Sequence, residues 1–398
     1  MTTFIHAGWL IDGSGGPVRK KVLLNITGGS ITGVDTHDPA NPPDSSCVTD
    51  LSHCTILPPF VDSHVHLALS ATIDPVARKR QLEADYETIQ PLISQHIHHH
   101  FSHGVLAVRD GGDSSGHVLR YKLEEAGNVK EPVMIKVTGK AWHQEGRYGA
   151  LIGRTPDTGE SLSTACAKDT SSTDFVKLVN SGLNSLSEFG HETSPQFNLD
   201  EIKKVVQHAA QQGKKVMAHA NGKESVRMAL DAGCHSIEHG FFMGRDNLMK
   251  MAEQQVTWVP TAYTMKAAKE NISGEKRVAE KNLQHQLEQI AMAREFGVPI
   301  ALGTDSGSPG ILHGESVVEE IKLLLQSGFN LPEALRCATY NGACLLGVDH
   351  KIGLIAKGQA ANFIVAWGTP AQLPRKLSYL EAIYINGRPF DKNHFQKI

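Results

Sequence analysis

The chain has 398 residues and a formal net charge of −3, with 40% hydrophobic and 20% charged side chains. That length suits a barrel of roughly 250 residues plus a smaller module, and the charge argues against a nucleic-acid surface or an acidic tail. No apolar run approaches the ~18 residues a membrane span requires, and the start lacks a basic-then-apolar secretory pattern, so a soluble cytoplasmic protein is expected.

Residues 1–54 read as short strands and turns. "TFIHAGWLI" runs into the turn "DGSGGP", and "KVLLNI" into "TGGS" before "ITGV". Residues 350–398 have the same character, in "KIGLIAKGQAANFIVAW" and "LEAIYINGRPF", with a hairpin signal at Asn386-Gly387. The two ends are expected to build one β-sandwich together. Residues 55–349 alternate differently. Eight short apolar runs, each ending in a polar residue or glycine, recur in order: "TILPPFVD", "VLAVRDGG", "VMIKVTG", "DFVKLVNSG", "KVMAHANG", "HSIEHG", "TWVPT" and "IALGTDSG". Helical patterns such as "LDEIKKVVQHAAQQG" and "KESVRMALDAG" separate several of them. Eight β-then-α units predict a (β/α)₈ barrel of the α/β class, whose chemistry sits at the C-terminal ends of its strands.

The six cysteines include no C-x-x-C pair, which makes a thiolate zinc site unpromising and reads as scattered reduced thiols. Of the 21 histidines, five crowd into "HIHHHFSHG" at His96, His98, His99, His100 and His103. Gly104 reads as the C-cap of the helix feeding the second strand, where histidines suit the macrodipole. The run is therefore expected to be a solvated helix end on the rim away from the strand C-termini.

Quieter positions carry more chemistry. In "FVDSHVHL", His64 and His66 are two apart on or just after an apolar strand and share a face. "VMAHA" delivers His219, "SIEHG" delivers His239, "IALGTD" delivers Asp305, and "DFVKLVNSG" sets Lys177 among apolar neighbours. One such residue is ordinarily a satisfied core side chain; five runs each ending in a ligand-type residue are hard to read that way.

With "LIDGSGGPV", "VRDGG", "AHANG", "LGTDSG" and "GLIAKGQAANFIV" added, nearly the whole chain resembles the amidohydrolase superfamily of metal-dependent hydrolases. It is similar to the branch of imidazolonepropionase-like and prolidase-like dipeptidases. Burial should favour the neutral amine of Lys177. The resemblance implies that this amine takes up CO₂ to become a carbamate bridging two divalent metals. It further implies His64, His66 and Asp305 around the more buried metal and His219 and His239 around the second. Such ligands suit zinc, with manganese, iron and cobalt as alternatives. Two metals ~3.5–4 Å apart can share a hydroxide that attacks a carbonyl carbon, with Asp305 shuttling its proton to the departing amine.

His143, in "GKAWHQEGRYG", stands where related dipeptidases have a histidine near the substrate carbonyl. Arg147, Tyr148 and Arg154 share that loop and are candidates for meeting a substrate carboxylate. Asn221 occupies a position where dipeptide-cleaving relatives often have tyrosine, and is a substrate-binding candidate. Asn362 stands where relatives usually have aspartate. Arg109 and Asp110 are expected to support the barrel mouth, and Glu238 to face away from His239. The reading is an amidohydrolase acting on a small N-acyl amino acid or dipeptide, in a homo-oligomer. The alternatives are an ester, lactone or organophosphate hydrolase on the same centre, a heterocycle deaminase, or a non-enzymatic scaffold. Lys177 argues against the deaminase, and the full ligand set against the scaffold.

Overall fold

A computed structural model describes residues 2–38, 40, 47–125, 132–271 and 276–390. The alternation of the N-terminal segment makes β1 (Thr2–Leu10), which buries Ile5, Ala7 and Leu10. β2 (Arg19–Thr27) and β3 (Ser30–Thr36) follow antiparallel to it, and β4 (Val48–Leu57) pairs with β1 in parallel. The chain's other end supplies β14 (Phe363–Trp367), β15 (Leu380–Ile385) and β16 (Arg388–Pro389). β14 lies antiparallel to the free side of β4. The two ends therefore join edge to edge in one seven-stranded mixed sheet. Pairing on both sides of β4 is the reason. Ile5, Leu24, Ile56, Phe363 and Val365 form the apolar core of this sheet.

Between the ends, strands and helices alternate. β5 (Phe60–Val65), β6 (Val105–Asp110) and β7 (Met134–Val137) form one parallel sheet. β8 (Ala141–Trp142), β9 (Gly153–Arg154), β10 (Phe175–Val179), β11 (Lys215–Ala220), β12 (Ser236–His239) and β13 (Thr257–Val259) form a second. β5 and β6 are buried along their whole length, as parallel strands covered on both faces should be. The eighth apolar run, residues 300–307, is not a continuous strand. Its backbone still bonds both neighbours: Ala301 N–H donates to Trp258 (3.0 Å), Ser63 N–H to Leu302 (2.9 Å) and His66 N–H to Ser306 (2.8 Å). At the other seam, Asp174 N–H donates to Val137 (2.9 Å). The result is a barrel-like arrangement of parallel strands.

Helices flank the strands. Leu199–Gln211 starts at a capping box of Asn198 and Glu201 and buries Ile202, Val205 and Ala209 on one stripe. Two helices follow β5: α1 (Pro75–Glu83), N-capped by Asp74, and α2 (Tyr86–Ser102), N-capped by Asp85. α1 buries none of its residues. α2 ends at His103, followed by Gly104 at φ +79°. Its histidines are not all solvated, which corrects the expectation. His96 and His100 continue the inward stripe of Ile89, Ile93 and Ile97. They pack against His313, with His96 stacked at 3.9 Å and His100 Nε2 3.2 Å from His313 Nδ1. His96 bonds the carbonyl of Leu67 and His313 that of Leu69, each at 2.8 Å. That ties α2 to the loop just beyond β5, on the side of the strand C-termini. Among the described residues, no helix is long and apolar enough to cross a membrane.

Candidate metal centre

His64 lies on β5 and His66 just beyond its end. Asp305 lies in the run that bonds to β5, through its N–H to His64 O at 2.8 Å. Asp305 Oδ1 lies 3.6 Å from His64 Nε2 and 3.4 Å from His66 Nε2. The three offer one donor atom each within 4.8 Å of one another. Lys177, on β10, brings its Nζ to 3.4 Å from His64 Nε2. The ring of His239, at the end of β12, is 4.9 Å from that of His64 and 4.5 Å from that of His219 on β11. All six residues proposed as ligands converge on one spot at the strand C-termini.

The far nitrogen of each ring is held. His64 Nδ1 meets Glu238 Oε2 at 2.8 Å, His66 Nδ1 the carbonyl of Gly112 at 2.9 Å, and His239 Nδ1 the hydroxyl of Thr261 at 2.7 Å. Each leaves Nε2 turned inward. His219 is held by Nε2, which bonds the carbonyl of Gly182 at 3.1 Å, and so offers Nδ1. Fixing one nitrogen to aim the other is how proteins set imidazole ligands. His239 and Asp305 sit at φ +67° and +61°, a sparsely populated region for such residues. Gly111 is required here: a Cβ would lie 2.8 Å from His66 Cε1 and 3.1 Å from His64 Nε2.

The electrostatics suit cation binding. Burial, then the Lys177 charge, lowers His64 to about 4 and His219 to about 3, and burial with His219 nearby drives His239 well below its ordinary value. These rings are neutral and carry free lone pairs. Burial tends to raise the Asp305 carboxyl, but its hydrogen bond to His66, the one ring of the four held above its ordinary value, outweighs that and holds it ionised. Burial brings Lys177 down to about 8, against the attraction of Glu238, which gives a usable fraction of free amine. Three inward Nε2 atoms, one Nδ1, a carboxylate and a low-pKa amine fit divalent metal ions.

Glu238 is closer to the centre than expected. It was placed on the face opposite His239, but both reach the interior because the left-handed backbone at His239 breaks the two-residue alternation. Glu238 also accepts from Arg109 Nη2 at 2.8 Å and from Ser236 Oγ at 2.5 Å. Arg109, fully buried, donates to Ser63 O at 2.8 Å as well. Asp110 accepts from the N–H groups of Leu67 (2.8 Å) and Gly112 (2.9 Å), fixing the turns beside His66.

A cavity of about 320 Å³ opens over the centre, and Tyr148 and Asn221 line it. Tyr148 stands over His219, ring centres 5.2 Å apart. Asn221 donates from Nδ2 to Gly182 O and accepts from Phe241 N–H, which commits its amide to the wall. His143 is buried but is not among the lining residues, and its Nδ1 bonds Gln144 O at 2.9 Å. Arg147 and Arg154 do not line the cavity either. Arg147 donates to Ser194 O at 2.7 Å. Arg154 pairs with Asp169 and stacks on Trp142 at 4.1 Å. The sequence reading missed Arg78 of α1, which does line the cavity. Asn362 lies outside this region, donating to Lys351 O at 3.2 Å.

The model of the amidohydrolase family matches residues 55–390. The chain belongs to the amidohydrolase family. It is an enzyme of the hydrolase class, similar to the prolidase-like and imidazolonepropionase-like members. An uncharacterized protein of Mycobacterium tuberculosis strain H37Rv is 27% identical over 349 residues, covering 84% of this chain and 85% of that protein. Ochratoxinase of Aspergillus niger is 29% identical over 206 residues, 50% of this chain and 41% of that enzyme. Among solved structures, a Xaa-Pro dipeptidase with methionine bound in its active site superposes with a TM-score of 0.82 at 26% identity, over 98% of this chain and 100% of that one.

Proposed function

We propose that the protein is a binuclear metal-dependent amidohydrolase that cleaves the amide bond of a small N-acyl amino acid or dipeptide. We read its parallel strands as a closed (β/α)₈ barrel, on the strength of the backbone bonds at both seams. The observation that carries the reading is Lys177 Nζ, 3.4 Å from His64 Nε2 and lining the same cavity as His66, His219, His239 and Asp305. A lysine there is unhelpful to a cation as an ammonium. As a carbamate, formed by a new N–C bond to CO₂ with loss of a proton, it supplies two anionic oxygens.

His64, His66 and Asp305 would hold one metal, His219 and His239 the other, and carboxylated Lys177 both; zinc suits these donors. Bound there, divalent ions supply Lewis acidity and lower the pKa of a water toward neutrality. Asp305 takes the proton of the attacking water and delivers it to the departing nitrogen, a task for which its ionised state equips it. Ser308 Oγ donates to Asp305 Oδ2 at 3.0 Å and steadies it. Glu238 and Thr261 hold the His64 and His239 rings in register. The Xaa-Pro dipeptidase and ochratoxinase names are consistent with this bond type.

The test is a screen of zinc- and bicarbonate-treated enzyme against N-acyl amino acids, dipeptides, lactones, organophosphates and aminopurines. The reading expects the highest kcat/KM on amides. Turnover confined to lactones, organophosphates or aminopurines would overturn it.

A further inference from the structure

The cavity over the centre is apolar along most of its wall, through Leu69, Leu151, Leu183, Leu186, Phe241 and Met265. Among the described residues, and apart from Lys177 and the histidines of the centre, its one basic lining residue is Arg78. Among the described residues the guanidinium makes a single hydrogen bond, from Nη1 to the carbonyl of Gly307 at 2.9 Å. Among the described residues no carboxylate lies within ion-pair distance of it. Asp305 is near enough to act on it by charge alone. A half-buried guanidinium facing an apolar cavity without a counter-ion leaves most of its five donors to something from outside. The helix that carries it buries no residue fully. Its anchors are Asp74 at its start, Gln81 on Ser70 and Arg78 itself on Gly307.

We propose that Arg78 is the clamp for a free carboxylate of the substrate, and that the apolar wall receives a large hydrophobic group on the same molecule. This rests on the amidohydrolase reading and narrows it to N-acyl amino acids or dipeptides with an unblocked carboxylate and a bulky apolar side chain. Arg78 replaces Arg147 and Arg154 in that role, since both of those are engaged elsewhere. A planar guanidinium meets a carboxylate through paired hydrogen bonds, which fixes the substrate's orientation as well as its affinity. With the carboxylate held at the α1 side, the acyl carbonyl is turned toward the histidines.

The test compares N-acetylphenylalanine with its carboxamide, on wild type and on Arg78→Met and Arg78→Lys. Wild type should prefer the free acid by roughly 10- to 100-fold in kcat/KM, the scale of a charged hydrogen-bonded contact. Arg78→Met should erase that preference, mainly by raising KM for the free acid. Arg78→Lys should fall between. Binding of 3-phenylpropanoate to metal-free protein, measured by calorimetry, supplies a readout without catalysis: wild type binds and Arg78→Met loses at least 10-fold. Equal use of acid and carboxamide by wild type, or unchanged 3-phenylpropanoate binding in Arg78→Met, would overturn the clamp while leaving the amidohydrolase reading intact. Intact Arg78-dependent binding without hydrolysis of any amide would overturn that reading and spare the clamp.

Discussion

Replacing Glu238 by Gln probes the centre through a residue that touches no metal. The two carboxylate oxygens accept three donors: Oε2 takes His64 Nδ1 at 2.8 Å, and Oε1 takes Arg109 Nη2 at 2.8 Å and Ser236 Oγ at 2.5 Å. Glutamine has one oxygen and one NH₂ for those places. An NH₂ beside Arg109 would set donors against a buried guanidinium that is always charged. The amide therefore turns its NH₂ to His64. Nδ1 must then accept, the proton moves to Nε2, and the nitrogen facing the centre loses its lone pair. Loss of such an outer partner typically costs 10- to 100-fold in metal affinity, and the forced tautomer places Glu238→Gln toward the upper end. Removing the charge also leaves Arg109 uncompensated; breaking a buried pair costs about 3–5 kcal/mol, and the retained oxygen puts this case near the lower figure. Competition with a chelator reads the first effect and urea unfolding the second. A variant within threefold of wild-type metal affinity and within about 0.5 kcal/mol in stability would refute this account of how His64 is held.

Asp305→Asn keeps an oxygen for a metal but not the proton acceptor, so kcat should fall by ~10²–10⁴-fold while much of the metal is retained; near wild-type turnover at full occupancy would move the base elsewhere. Burial lowers His96 to about 4 and drives His100 and His313 well below the ordinary value. The unfolded chain then binds more protons below pH 6.5, so stability is full above that pH and falls toward pH 4, by ~3 kcal/mol for His96 alone. Urea unfolding across this range should show a shallower slope in His96→Gln, and an unchanged slope would contradict the assignment. His98→Gln with His99→Gln should leave metal content and Tm unchanged, whereas His100→Gln should lower Tm; equal effects would mean that the two faces of α2 are not distinguished as described.

The ligand-type residues were legible because each lies in or at the end of an apolar run, and chain order alone brings such runs together in parallel strands. The buried half of the histidine run was legible too: His96 and His100 fall at helical spacing from Ile93 and Ile97, but the mass of neighbouring imidazoles hides the stripe. Glu238 was misread because alternation presumes extended backbone, and nothing in "SIEHG" announces the positive φ of His239. Arg78 left no signal. Its helix has no apolar stripe, and its place over the cavity depends on a contact with Gly307, more than two hundred residues away in sequence. Arg147 and Arg154 drew notice through proximity to His143, yet Ser194 engages the first and Asp169 and Trp142 the second. The single sheet built by the two ends follows from β4 having two free sides, which composition does not reveal.

The central claim, a binuclear centre completed by Lys177, is tested most directly by elemental analysis combined with a crystal structure of protein prepared with zinc and bicarbonate. The account predicts about two divalent ions per chain and density for a carboxylate on Lys177 Nζ between them. One ion per chain beside an unmodified Lys177 would contradict it.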